Sequence, residues 1–153
     1  MLRISRLTDY GTMVLVYLAQ QSHTHCSAND VAVATHVALP TTQKLLKVLT
    51  RAGLVESARG VDGGYRLTRS PHSINAAEIV DALEGPVAIT ECSASTSQCE
   101  LESMCMVGGA WQRINQAIRN ALVDISLAEL DSPSAGYAGP KTGISGKQPS
   151  QPV

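Results

Sequence analysis

The sequence has no phenylalanine and one tryptophan, and aromatic residues make up only 3% of its 153 positions. A core without large rings must be assembled from leucine, valine, isoleucine and alanine, which suits thin layers of helix. Long hydrophobic runs are also missing. The apolar run nearest the amino end, "MVLVYLA" at 13–19, is far short of the ~20 residues that cross a bilayer. Arg3 and Arg6 precede it, but Asp9 intervenes and no small-residue cleavage pattern follows. Neither a signal peptide nor a membrane span is expected, and the cytoplasm is the expected location. Nucleophile–base pairs, phosphate-binding loops and paired catalytic carboxylates are missing as well, which argues against an enzyme.

Charge is present, though unevenly placed. The formal net charge is −1, yet residues 41–69 carry Lys44, Lys47, Arg51, Arg59, Arg66 and Arg69 against only Glu56 and Asp62. Residues 71–130 carry Arg113 and Arg119 against eight acids. A basic section beside an acidic one points to a polyanion partner for the first part only.

Apolar spacings of three and four from Ser5 to Gln20, through Leu7, Met13, Val14, Val16, Tyr17 and Leu18, predict a mostly buried helix. A second helix over 28–37, capped by Ser27 or Asn29, would bury Val31, Ala34 and Val37. A third over 41–52 follows Pro40, turns Leu45, Leu46, Val48 and Leu49 inward, and stops at Gly53. "LVESARG" and "GYRLTRS" read as strands around a glycine-rich hairpin turn. A fourth helix spans 75–83 with Ile74, Ile79, Val80 and Leu83 apolar, and Gly85-Pro86 ends it. Further on, Trp111, Ile114, Ile118, Leu122 and Ile125 form one stripe near a 3.5-residue repeat. From Asp131 the chain is rich in Pro, Gly and Ser without periodicity, and disorder is expected there.

Three helices followed by a two-stranded hairpin is the order of a winged helix-turn-helix, whose third helix enters the major groove while the wing reaches the phosphate backbone. Thr41, Thr42, Gln43 and Lys44 would occupy the exposed first turn of that helix and meet base edges; Gln can pair with adenine through two hydrogen bonds. Lys47, Arg51, Arg59, Arg66 and Arg69 suit phosphates. The alternative is a small helical bundle whose charges are merely solvated.

Three of the four cysteines lie in "TECSASTSQCELESMCMVGG" (90–109), at C-x6-C-x5-C. The spacing is too loose for the C-x2-C of a zinc knuckle and the number is odd for disulfides. Reduced thiols in a cytoplasmic chain favour metal or redox chemistry. Thiolates are soft ligands that suit iron–sulfur clusters as well as zinc, and zinc stays open as the other reading. Cys26, alone beside His23 and His25, reads as a bystander.

"RLTDYG" (6–11), "RAGLVESARGVDGGYRL" (51–67) and "ALEGP" (82–86), followed by the three cysteines, resemble the winged-helix iron–sulfur transcription regulators of the IscR and NsrR type. The likeness runs from Met1 to about Leu130, and "ITECS…WQRINQAIR" looks closest to the branch that regulates SUF-type iron–sulfur assembly genes. It implies a mainly helical fold divided into a DNA-binding domain (1–86), a cluster-binding segment (87–109), a long dimerisation helix (110–130) and a tail (131–153). It further implies a homodimer, joined through the Trp111 to Ile125 stripe, that reads a two-fold-related operator. Arg59 and Gly60 of the wing motif and the start of the third helix would touch DNA. Gln43 stands where IscR-type members have glutamate, so their operator does not transfer directly.

In the same resemblance Cys92, Cys99 and Cys105 hold an iron–sulfur cluster, 4Fe–4S preferred over 2Fe–2S. The IscR-type histidine would fall on Gly108, and no histidine lies beyond His72. NsrR-type members use an aspartate of the first helix from the other subunit, which matches Asp9 here. By its sequence position alone Asp9 is a first-turn acid stabilising its helix. Glu91, Glu100 and Glu102 compete for the ligand role. The expected function is a homodimeric repressor that senses iron–sulfur status or redox or nitrosative stress. One alternative makes nitric oxide the physiological signal; another, of a different class, is a zinc- or cluster-binding carrier without sequence-specific DNA binding.

Overall fold

A computed structural model describes residues 3–21, 24–89 and 106–132. Helices α1 (Arg6–Gln20), α2 (Ala28–Thr35) and α3 (Leu39–Arg51) precede strands β1 (Val55–Ala58) and β2 (Gly64–Leu67), and a 3₁₀ turn at Pro71–Ser73 leads into α4 (Ala76–Leu83), α5 (Gly108–Val123) and α6 (Leu127–Asp131). This is a winged helix-turn-helix, as the sequence predicts. No described helix is long and apolar enough to cross a membrane. Of the tail expected to be disordered from Asp131, Asp131 is the last residue of α6, and residues from 133 onward lie outside the described residues.

Local chemistry sets the helix ends. Ser27 accepts from the Asp30 amide while the Asp30 carboxylate accepts from the Ser27 amide, and Asn75 with Glu78 repeats the arrangement at α4. His36, at φ 56°, turns the chain between α2 and α3. Pro40 sits in the first turn of α3, where a missing amide costs nothing. Gly53 stops α3 at φ +76°.

The core gathers Val14, Leu15 and Leu18 of α1, Val31 of α2, Leu45, Leu46 and Leu49 of α3, Leu54 and Val55 at the wing root, Ile74, Ile79 and Leu127. Fully burying one such side chain stabilises by about 1.5–3 kcal/mol. Three expectations change. On α2 the buried residues are Val31, Ala32 and Thr35, while Ala34 is exposed; Val37, just past the helix, is buried as expected. Met13 stays 40% exposed on the outer side of α1, where Gly11 and Leu15 face inward instead. The helix expected over 110–130 is two helices. Ser126 and Glu129 form a capping box that starts α6, and the break lets the Ala76 amide reach the Ile125 carbonyl and the Leu127 amide reach the Ile74 carbonyl, both at 2.8 Å.

The wing is a hairpin in register Val55↔Leu67 through Ala58↔Gly64. It has a third backbone partner in Cys26, whose amide donates to the Tyr65 carbonyl at 2.9 Å and whose carbonyl accepts from the Tyr65 amide at 2.8 Å. Cys26 is therefore no bystander: it ties the α1–α2 connection to the wing. Gly64 allows the approach. Its φ is +143°, and a Cβ there would lie 2.6 Å from the Cys26 carbonyl oxygen.

Candidate nucleic-acid interface and cysteine segment

Helix α3 is divided lengthwise by its 3.6-residue period. Thr42, Leu45, Leu46 and Leu49 are buried, whereas Gln43, Lys44, Lys47 and Arg51 are exposed along the opposite face. Between that face and the wing runs a groove of about 640 Å3, lined by Gln43, Lys44, Lys47, Thr50, Arg51, Ser57 and Tyr65. Arg59 and Gly60 are exposed in the wing turn, with Val61 and Asp62 at its tip. Among the described residues Lys44, Lys47, Arg51 and Arg59 make no ion pair, so their charges are available to an incoming polyanion.

Three residues expected to meet DNA are instead engaged within the fold. Thr42 is fully buried and donates its hydroxyl to the Val37 and Ala38 carbonyls at 3.3 and 3.2 Å, which fastens the turn before α3 and removes it from the base-contacting set. Arg66 stands opposite Glu56 in the wing register and is ion-paired to it. Arg69 likewise binds Glu78 and the Ser73 carbonyl. Glu78 is held below the ordinary carboxylate range because the hydrogen bonds from Arg69 and Asn75 outweigh the opposing effect of burial. Thr41 is half-buried at the edge of the face. Tyr65 and Ser57, absent from the sequence-derived list, line the groove because hairpin pairing places them opposite one another.

At the amino end of α1, Asp9 is exposed. The Glu84 carboxylate, arriving from the end of α4, accepts hydrogen bonds from the Ser5 amide and the Thr8 hydroxyl, which hold its carboxyl below the usual glutamate range. Sequence reasoning missed Glu84, since the two partners are 79 and 76 positions away. Asp9 is the acid in the first turn of α1, as its sequence position predicts, and Glu84 adds a second carboxylate to the same helix end.

Cys92, Cys99 and Cys105, with Glu91, Glu100 and Glu102, lie outside the described residues. Among the described residues no three His, Cys, Asp or Glu side chains converge as a metal site. Cys26 is buried; burial and then the Asp30 carboxylate push its thiol up, more than the Tyr17 hydroxyl lowers it. That favours the protonated thiol, which is a poor metal ligand. Gly108, the first residue of α5, is buried and offers no donor. On α5, Trp111 and Ile114 are 40% and 44% exposed, Ile118 and Leu122 are half-buried, and Ile125 is 40% exposed in the break that follows.

A family model described as Rrf2, an iron-dependent transcriptional regulator, matches residues 4–132. The chain belongs to the Rrf2 family. Protein rrf2 of Nitratidesulfovibrio vulgaris is 28% identical to it over 130 residues, 84% of this chain and 87% of that protein. The regulator NsrR of Shouchella clausii is 29% identical over 131 residues, 84% and 88% of the two chains. The structure of CymR, the global cysteine regulator of B. subtilis, matches with a TM-score of 0.68 at 30% identity, covering 88% of this chain and 99% of that one. That of T. potens IscR matches at 0.64 and 28%, covering 84% and 85%. This Rrf2 chain is a DNA-binding transcription regulator, with relatives that are regulators and not enzymes.

The interface makes a discriminating prediction for the Rrf2 chain. Lys47→Ala should flatten the dependence of log affinity on log salt by about one unit, since each phosphate contact contributes roughly 0.9. Arg66→Ala, whose charge is answered by Glu56, should leave that slope nearly unchanged. Fluorescence anisotropy on duplex DNA across a salt series measures both, and equal slope losses would restore Arg66 to the phosphate set.

Proposed function

We propose that this Rrf2 regulator is a homodimeric, iron–sulfur-dependent repressor in the cytoplasm, controlling iron–sulfur assembly genes from a two-fold-related operator. The observation that carries the reading is the set of three thiols between α4 and α5 of a winged-helix regulator, together with an Asp9 carboxylate exposed on the first turn of α1. Relatives named NsrR, IscR and CymR share the scaffold, so the signal must come from the chain's own donors.

The donor set fits an iron–sulfur group. Cys92, Cys99 and Cys105 would hold three positions and Asp9 of the partner subunit the fourth; Gly108 cannot. A carboxylate is a harder ligand than thiolate for this iron, so its position is the exchangeable one. When bound, the cluster supplies a redox- and ligand-sensitive centre. The chain's residues do the rest: the exposed Trp111 and Ile114 give α5 an apolar face for a second copy, and Gln43, Lys44, Lys47, Arg51 and Arg59 of each copy address one half-site.

Protein purified without oxygen should be brown, and iron and sulfide counts should decide between 4Fe–4S and 2Fe–2S. A colourless, zinc-loaded preparation would sink the cluster. Asp9→Ala should shorten the lifetime of the visible absorption in air while leaving the apo fold intact; an unchanged lifetime removes Asp9 from the ligand set.

A further inference from the structure

Two attachments of helix α5 to its own subunit have a defined geometry among the described residues. Its carboxyl end is pinned where Ile125 and Leu127 exchange backbone hydrogen bonds with residues 74–76, and Leu127 plugs into the core. Six residues earlier, Arg119 sends both terminal nitrogens to both oxygens of Asp81 on α4, at 3.1 and 2.8 Å. Helix α4, on the other side of the pair, packs against both α1 and α3.

We propose that the Arg119–Asp81 pair is the strut that sets the angle between α5 and the DNA-reading unit, and so selects the half-site spacing that the dimer accepts. The inference rests on the homodimeric reading above. Two parallel N–H···O bonds fix a plane as well as a distance, which a lysine ammonium does not. The side chains are 39% and 28% exposed, a setting in which an ion pair contributes little to stability, so direction is what it supplies. Both residues are positioning residues and neither faces the groove beside α3.

The test uses the full chain and duplexes carrying the two-fold site that the wild type selects from randomised DNA. Copies have the half-sites moved by one and two base pairs, each step shifting them by about 3.4 Å and a tenth of a turn. The wild type should favour one spacing at least tenfold or so over its neighbours, and Arg119→Gln and Asp81→Asn should narrow that to roughly threefold. Affinity for a single half-site should not change, and both variants should melt within about 4 °C of the wild type. The exchanged pair Asp81→Arg/Arg119→Asp should recover part of the discrimination. Unaltered discrimination in Arg119→Gln overturns the strut, as does an equal loss on the single half-site, which would place the residues in the reading head. A wild type that sediments as a monomer while binding DNA overturns the dimer reading itself, and the strut with it.

Discussion

Gly64→Ala should unfasten the wing and cost both stability and DNA affinity. The added methyl would lie 2.6, 2.8 and 3.1 Å from the Cys26 carbonyl oxygen, carbonyl carbon and nitrogen, all backbone atoms that cannot rotate away. The φ of +143° is also one that side chains rarely adopt. Relief requires opening the Cys26–Tyr65 bridge and its two hydrogen bonds. Strain and lost bonds together amount to about 3 kcal/mol, or a fall of about 10 °C in Tm. Operator affinity should fall with it, since Arg59 and Ser57 ride on the wing. Gly109→Ala is the control: nothing lies within 4 Å of its added Cβ, and alanine favours a helix by about 0.5–1 kcal/mol. Scanning calorimetry and anisotropy on both variants measure the effect, and a Gly64→Ala chain that melts and binds like the wild type would falsify the three-way seam.

A comparable loss is expected at the other end of the molecule. Leu127 is 0% exposed, and its amide is bonded to the Ile74 carbonyl. Leu127→Ala should cost about 3–4 kcal/mol through lost transfer and the cavity left behind, lowering Tm by roughly 10 °C. Leu130, three residues on and 41% exposed, should tolerate alanine with no more than about 0.5 kcal/mol. In the homodimer proposed above, Leu127 anchors the residues that follow α5, so its loss should also weaken self-association, read by sedimentation velocity. Equal melting of the two variants would remove α6 from the core.

The helix order, the hairpin and the basic face of α3 were legible because each rests on local periodicity, caps and turn residues. Ser27, Asn75, Pro40 and Gly53 act within a few positions of themselves. The reading fell short where a partner is distant. Thr42 has the composition of a base-contacting residue, yet its hydroxyl serves the turn before α3. Arg66 counts as a free cation until hairpin register sets Glu56 beside it. The Ser126–Glu129 capping box was available in the sequence, but continuous apolar spacing masked the break before α6.

By itself the sequence determined a helix-rich winged fold, a basic reading helix and three closely spaced thiols with no histidine beyond His72. Spacing, charge and donor chemistry need no long-range information. Only the tertiary structure decided which of those groups are at liberty to act. It closed Thr42, Arg66 and Arg69 into internal bonds, made Cys26 a backbone partner of the wing, brought Glu84 to the amino end of α1, and joined α5 to α4 through Arg119 and Asp81. Each of those depends on pairs brought together by burying a shared core, and sequence proximity carries no record of such pairs.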